Sequence, residues 1–216
     1  MDNLISLLKL IIPLQVIGAA IGITLLGSLI GFLFIKVTQS LAFTKGEWRS
    51  HHQYTAGGRG SYFFDADLIL STDMGVELTA NWIADKIEDF RKAKHIDKMA
   101  FIEEARGPVG LLTQKDLLVS RTGMPGIIVR FKRRLVIGRI TGHIKRGESF
   151  VLISDTGTTG RKMTRAIRCL QDAACDIKVP YAITLVNLNQ GAEESLKKMG
   201  TELISYKSIH SDKPHL

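Results

Sequence analysis

Leu10 to Ile35, LIIPLQVIGAAIGITLLGSLIGFLFI, holds no charged residue, and only Gln15, Thr24 and Ser28 are polar. Its 26 residues at about 1.5 Å each reach roughly 39 Å, more than the ~30 Å hydrocarbon core of a bilayer. A helix buried in a soluble domain keeps a polar face, and this run has none. One transmembrane α-helix within residues 1–36 is therefore expected, tilted to fit. A cleaved signal peptide is the rival reading. Ser40-Leu41-Ala42 offers small residues for cleavage, but a signal h-region spans only ~7–15 residues. Asp2 and Lys9 precede the run, while Lys36, Lys45, Arg49 and Arg59 follow it with Glu47 alone against them. Positive flanks stay inside, so the expectation is a single-pass cell-membrane protein with its C-terminal domain in the cytoplasm. Gly18-x-x-x-Gly22 and Gly27-x-x-x-Gly31 either form a close-approach seam between two such helices or reflect the general frequency of glycine in membrane helices.

Beyond the run, residues 37–53 read as a polar juxtamembrane linker and 54–216 as one domain. The whole chain has 216 residues, 45% of them apolar, and a net charge of +8. That balance suits an anionic partner, whether phosphorylated small molecule, anionic lipid or nucleic acid. The basic residues are dispersed without aromatic interleaving, which argues against nucleic acid. Two cysteines, Cys169 and Cys175, are too few for a disulfide framework. The six histidines form no ligand pattern with them or with each other, and no residue is singled out as a metal ligand.

Periodicity predicts strands alternating with helices. A Gly-rich turn and an aromatic strand occupy 54–67. An amphipathic helix spans Val76–Lys92, with Leu78, Trp82, Ile83, Ile87 and Phe90 on one face. Strands follow at Met99–Glu103, Gly126–Val129, Ile137–His143, Val151–Ser154, Tyr181–Leu188 and Glu202–Tyr206, with helices at Leu111–Val119, after Gly160, and at Gly191–Met199. This is an α/β domain with a mainly parallel sheet flanked by helices. In such sheets ligands sit at the carboxyl ends of strands, so the loops at 103–110, 130–134 and 155–161 are expected to converge.

The last of these loops is the most informative. VLISDTGTTGRKMTRAIRCL (Val151–Leu170) reads as buried strand, small-residue loop and amphipathic helix. Glycines let the backbone approach an anion, and free loop amides with threonine hydroxyls donate to it. An ordinary capped strand-to-helix turn is the plainer reading, with Asp155 as its turn or cap acid.

VLISDTGTTG with its helix resembles the phosphoribosyl-diphosphate (PRPP) loop of type I phosphoribosyltransferases. Other motifs accompany it in order. Glu104-Ala-Arg-Gly107 resembles the EARG of adenine phosphoribosyltransferases. Gly58-Arg-Gly-Ser-Tyr-Phe-Phe-Asp65 is similar to the SGR-x-S-PYFF stretch of orotate phosphoribosyltransferases. Met124-Pro-Gly-Ile-Ile-Val-Arg130 resembles the strand leading to that family's catalytic hood loop, and Gly191-Ala-Glu-Glu-x-Leu-x-x-Met-Gly200 its C-terminal helix. The match covers roughly residues 54–209 and is closest to the orotate branch.

The resemblance implies transfer of ribose 5-phosphate from PRPP to a ring nitrogen of a nucleobase, with Mg²⁺ and release of pyrophosphate, by a homodimer. It assigns Thr156, Gly157, Thr158, Thr159 and Gly160 to the 5-phosphate and Asp155 to the ribose hydroxyls. Arg106 and Gly107 would meet the diphosphate. Arg130, Lys132 and Arg133 would neutralise its growing charge, and Phe63 and Phe64 would lie beside the base. The chain departs from the pattern in five places, one of them the absence of a proline before Tyr62-Phe63-Phe64. Ser154 replaces the first of two loop acids, and Lys162 the hydroxyl residue that ends the loop. RFKRRLVIGRITG is a short hood without histidine, and Ala56 takes the place of a lysine that meets the orotate carboxylate. A non-catalytic PRPP- or nucleotide-binding module of the same fold is the alternative expectation.

Overall fold

The computed structural model describes residues 43–45, 62–64, 70, 72–103, 114–131 and 138–209. All belong to the second of two units into which the chain divides, Ala42–Leu216. The expected membrane helix at 10–35 lies outside the described residues, among which no helix is long and apolar enough to cross a membrane. The described elements are β1 (Phe43–Lys45), β2 (Tyr62–Phe64), α1 (Asp73–Ala93), β3 (Lys98–Glu103), α2 (Lys115–Thr122), β4 (Gly126–Phe131), β5 (Gly138–Thr141), β6 (Ser149–Gly157), α3 (Arg161–Ala173), β7 (Lys178–Asn187), α4 (Ala192–Lys197) and β8 (Glu202–Ser208).

Six strands form one sheet in the order β5-β4-β3-β6-β7-β8. Neighbours from β4 to β8 run parallel, and β5 closes the edge antiparallel to β4. The α/β expectation with a mainly parallel sheet therefore holds. Alternation along each strand divides its side chains between two layers. Met99, Phe101, Val151, Ile153 and Ile183 pack with α1 and α2, through Ile83, Ile87 and Leu118. Ala100, Ile127, Val129, Leu152 and Ala182 pack with α3, through Met163, Ala166, Ile167 and Leu170. Both faces are covered, as a parallel sheet requires.

The helices start where local chemistry lets them. Thr72 Oγ1 accepts from Gly75 N at 3.1 Å and caps α1 three residues before the expected start. The buried face of α1 is Ala80, Ile83, Ile87 and Phe90, with Phe90 stacked on Tyr181 at 4.1 Å between ring centres. Leu78, expected on that face, is 40% exposed. It lies about 140° round the helix from Ile83. Trp82, one turn on, is partly buried against the core and meets the edge of the Tyr206 ring at 5.3 Å, so of this side of α1 it is Leu78 that stays exposed. Helix α2 begins four residues later than Leu111 among the described residues and ends at left-handed Gly123. Phe43–Lys45, placed by sequence in a linker, pairs antiparallel with Tyr62–Phe64.

A charged clamp ties the amino-terminal edge together. Lys98 Nζ lies 2.7 Å from Glu148 Oε1 and donates to the His143 carbonyl at 2.7 Å. Glu148 Oε2 also accepts from Lys145 N at 2.8 Å, and Asp97 Oδ2 accepts from Ser149 N at 2.8 Å. The first residue of β3 is thereby fixed to the turn that feeds β6. Burial pushes the Glu148 carboxyl up, but the Lys145 amide, the Lys98 hydrogen bond and its charge together outweigh that and hold it below the usual range.

Candidate functional site

The strand expected at Val151–Ser154, with Asp155 closing it, is longer. It continues to Gly157, because Thr156 and Gly157 still pair with Val186 and Asn187 of β7. The loop Thr158–Gly160 follows, and α3 starts at Arg161. Three loop carbonyls are taken up by the protein. Gly157 O accepts from Leu188 N at 2.8 Å, Thr159 O from Ser195 Oγ at 3.0 Å and Gly160 O from Thr164 N at 2.9 Å. With the carbonyls of Gly157, Thr159 and Gly160 engaged, amides are what this turn has to offer an anion. Gly160 is left-handed at φ 76° and is the N-cap of α3, with no side-chain cap on the helix. Asp155 therefore does not cap α3. Thr159 Oγ1 is buried and has no hydrogen-bond partner among the described residues. A buried unpaired hydroxyl is costly, and a phosphate oxygen beside the loop would satisfy it.

Asp155 is half-buried. Its Oδ1 accepts from Thr156 N at 2.7 Å and lies 3.4 Å from Ser154 Oγ, while its carbonyl accepts from Thr184 Oγ1 at 2.9 Å. Ser154, in the place of the missing acid, is 4% exposed. Alternation sets its side chain on the α3 layer with Leu152, and sets Asp155 on the opposite face with Val151 and Ile153.

That opposite face carries two more charged groups. On β3, Glu103 follows Met99 and Phe101; on β4, Arg130 alternates with Ile127 and Val129. Glu103 and Arg130 are register partners, and the Arg130 Nε donates to Glu103 Oε2 in an ion pair. Phe101 is the register partner of Ile153, so Glu103 stands level with Asp155 on the next strand. Arg130, Glu103 and Asp155 thus occupy three adjacent strands at one carboxyl edge, on one face. On the other face, the Arg165 guanidinium lies 4.8 Å above the Phe131 ring and ties the end of β4 to α3.

Among the residues expected at the site, Asp155, Thr156, Gly157, Thr158, Thr159, Gly160 and Arg130 fall at this edge. Phe63 and Phe64 lie on β2, in register with Thr44 and Phe43. Arg106, Gly107, Lys132 and Arg133 lie outside the described residues. In sequence, Glu104 and Ala105 separate Arg106 from Glu103 at the end of β3, and Lys132 follows Phe131 at the end of β4; β3 and β4 are neighbouring strands. Glu103 was read only as the end of a strand. Its signal was present, an acid at the last strand position before EARG, but its partner was not readable from the sequence. A cleft of about 600 Å³ lies at the opposite, amino-terminal edge, between Lys94, Ser149, Ile177, Lys178 and Met199. None of the expected site residues lines it.

Lys162, second residue of α3, is largely buried, and that burial lowers its ammonium to about 8 from 10.5. Its folded value lies below its unfolded one, so the unfolded chain binds more protons between those two pH values. Stability therefore rises with pH across that window, and the cost is fully present below about pH 8. Lys162→Met is expected to stabilise the fold at pH 7 by roughly 1–3 kcal/mol, the gain shrinking to nothing by about pH 11. Urea unfolding at the two pH values checks this, and equal gains at both would refute it.

Comparison with known proteins follows the same lines. No family model matches the chain. It is 29% identical over 162 residues to an orotate phosphoribosyltransferase of Pyrococcus furiosus, covering 74% of this chain and 84% of that one. Its fold matches the crystal structure of orotate phosphoribosyltransferase from Aeropyrum pernix with a TM-score of 0.64 at 22% identity, over 81% of this chain and 92% of that one. It also matches adenine phosphoribosyltransferase from Saccharomyces cerevisiae, with a TM-score of 0.57 at 16% identity, over 78% and 96% of the two chains. The α/β fold is thus the phosphoribosyltransferase fold, and the resemblance to the type I family, on its orotate side, is supported by sequence and by structure.

Proposed function

We propose that the chain is a phosphoribosyltransferase that moves the phosphoribosyl group of PRPP to a nitrogen of an orotate-like nucleobase and releases pyrophosphate. The observation that carries this reading is the carboxyl edge itself, where Asp155 and Arg130 share one face beside the Thr156–Gly160 loop. The loop amides and Thr159 would hold the 5-phosphate. Asp155, its Oδ1 engaged by the Thr156 amide, would accept from the ribose hydroxyls. As the C–O bond to the diphosphate lengthens, positive charge grows on the ribose ring and negative charge on the leaving group. Catalysis is then positioning together with a preset cation for that charge. Arg130, and with it Arg106, Lys132 and Arg133, supplies the cation.

Mg²⁺ fits this donor set only as an ion carried in by the diphosphate. Among the described residues no three His, Cys, Asp or Glu side chains cluster to hold a metal. Mg²⁺ commonly binds through one or two carboxylates plus substrate phosphates, and Asp155 would be the side chain to meet it. Bound there, it would neutralise diphosphate charge. Ala56, in place of a carboxylate-binding lysine, supports an acceptor base other than orotate itself. The uncharged run of residues 10–35 supports attachment to a membrane, with the transferase domain in the cytoplasm. The family likeness supports a homodimer.

Asp155→Ala should lower base-dependent pyrophosphate release at least about 100-fold, the scale on which a single transition-state contact acts. Coupled pyrophosphate detection across a panel of bases measures it. PRPP binding without release on any base would instead favour a binding module.

A further inference from the structure

We infer that Glu103 is a positioning residue that holds Arg130 at the sheet edge until a diphosphate takes its place. The inference rests on the phosphoribosyltransferase reading above. Glu103 is the last residue of β3 and Arg130 the last but one of β4. Their register brings the two side chains together on the face that also carries Asp155. The backbone at this point has little freedom. Val129 is buried against the α3 layer, and Phe131 lies under the Arg165 guanidinium. The Arg130 side chain, 46% exposed, can swing, while that of Glu103 is 28% exposed.

An arginine so held is ordered before substrate arrives, in the layer where a leaving group would sit. A diphosphate offers more charge and more acceptor oxygens than one carboxylate, and guanidinium matches phosphate oxygens in pairs. It displaces Glu103, whereas a single weakly charged oxygen does not. When pyrophosphate departs, the ion pair re-forms. The cost is affinity, because each binding event must break the pair.

The test is calorimetric titration of the full-length chain with PRPP and, separately, with pyrophosphate, each with Mg²⁺. It compares wild type, Glu103→Gln, Arg130→Gln and the double variant. Glu103→Gln is expected to tighten both ligands about two- to five-fold, the size carried by a partly exposed ion pair. Arg130→Gln is expected to weaken both, and in its background Glu103→Gln should change nothing. A residue that merely supports the fold would loosen binding when replaced, so the sign of the change separates the roles. Equal or weaker binding in Glu103→Gln overturns the inference while leaving the transferase reading intact. Equal tightening with and without Arg130 also overturns it, since that is plain charge repulsion. No saturable binding to the folded wild type overturns the transferase reading and this inference with it.

Discussion

Gly160→Val should destabilise the domain by about 2–5 kcal/mol and abolish PRPP binding together. Two costs add. Gly160 stands at φ 76°, a region that costs an L-residue roughly 1–2 kcal/mol and a β-branched one no less. A Cβ there would also lie 3.0 Å from Ser195 Cβ and 3.1 Å from both Ala192 Cα and its carbonyl oxygen. The obstacle is largely backbone of α4, so a rotamer change cannot relieve it, and overpacking of this kind costs about 1–3 kcal/mol more. The same shift would move the Thr159 carbonyl off Ser195 Oγ, which opens the loop. Thermal unfolding and PRPP calorimetry of one preparation check both halves. A variant with wild-type stability would mean that α4 yields easily and that the loop is not seated on it.

Lys98→Met should cost about 1–3 kcal/mol at pH 7, because removing one partner of a partly buried ion pair leaves the other charged and short of a hydrogen bond. The pair is well covered, with side-chain exposures of 13% and 14% for Lys98 and Glu148. The pH dependence identifies the cause. In the wild type the Glu148 carboxyl is held below its ordinary value of 4.5. The stability it adds is complete above that pH and is lost as pH falls through the lowered value. Without Lys98, burial dominates and the carboxyl rises instead, so acid neutralises it and relieves the variant. The gap between variant and wild type should therefore narrow between pH 7 and pH 4. Urea unfolding across that range measures it, and a constant gap would point to lost methylene packing rather than charge.

Much of the domain was legible because its elements are written locally. The run Val151–Ile153 is wholly buried, and a strand covered on both faces shows itself as continuous apolar sequence. Helix α3 announced itself through Met163, Ala166, Ile167 and Leu170, all buried as spaced. The loop between β6 and α3 was readable from its glycines and threonines. Boundaries were less so. Asp155 reads as a strand end, yet pairing with β7 carries β6 on to Gly157, because a ladder ends where its neighbour ends. Leu78 reads as core, yet it is 40% exposed, about 140° round α1 from buried Ile83.

By itself, then, the sequence determined the α/β class, the strand-loop-helix at 151–170 and the residue types that stand at its carboxyl end. Each depends on residues within a few positions of one another, where propensity and periodicity act. Only the tertiary structure decided which strands lie side by side and in what register. Glu103 and Arg130 are 27 positions apart in the chain, and Lys98 and Glu148 are 50 apart. Nothing in local propensity pairs such residues. They meet because burying both faces of a parallel sheet fixes strand order, and because a one-residue slip would swap every strand side chain between the two helix layers.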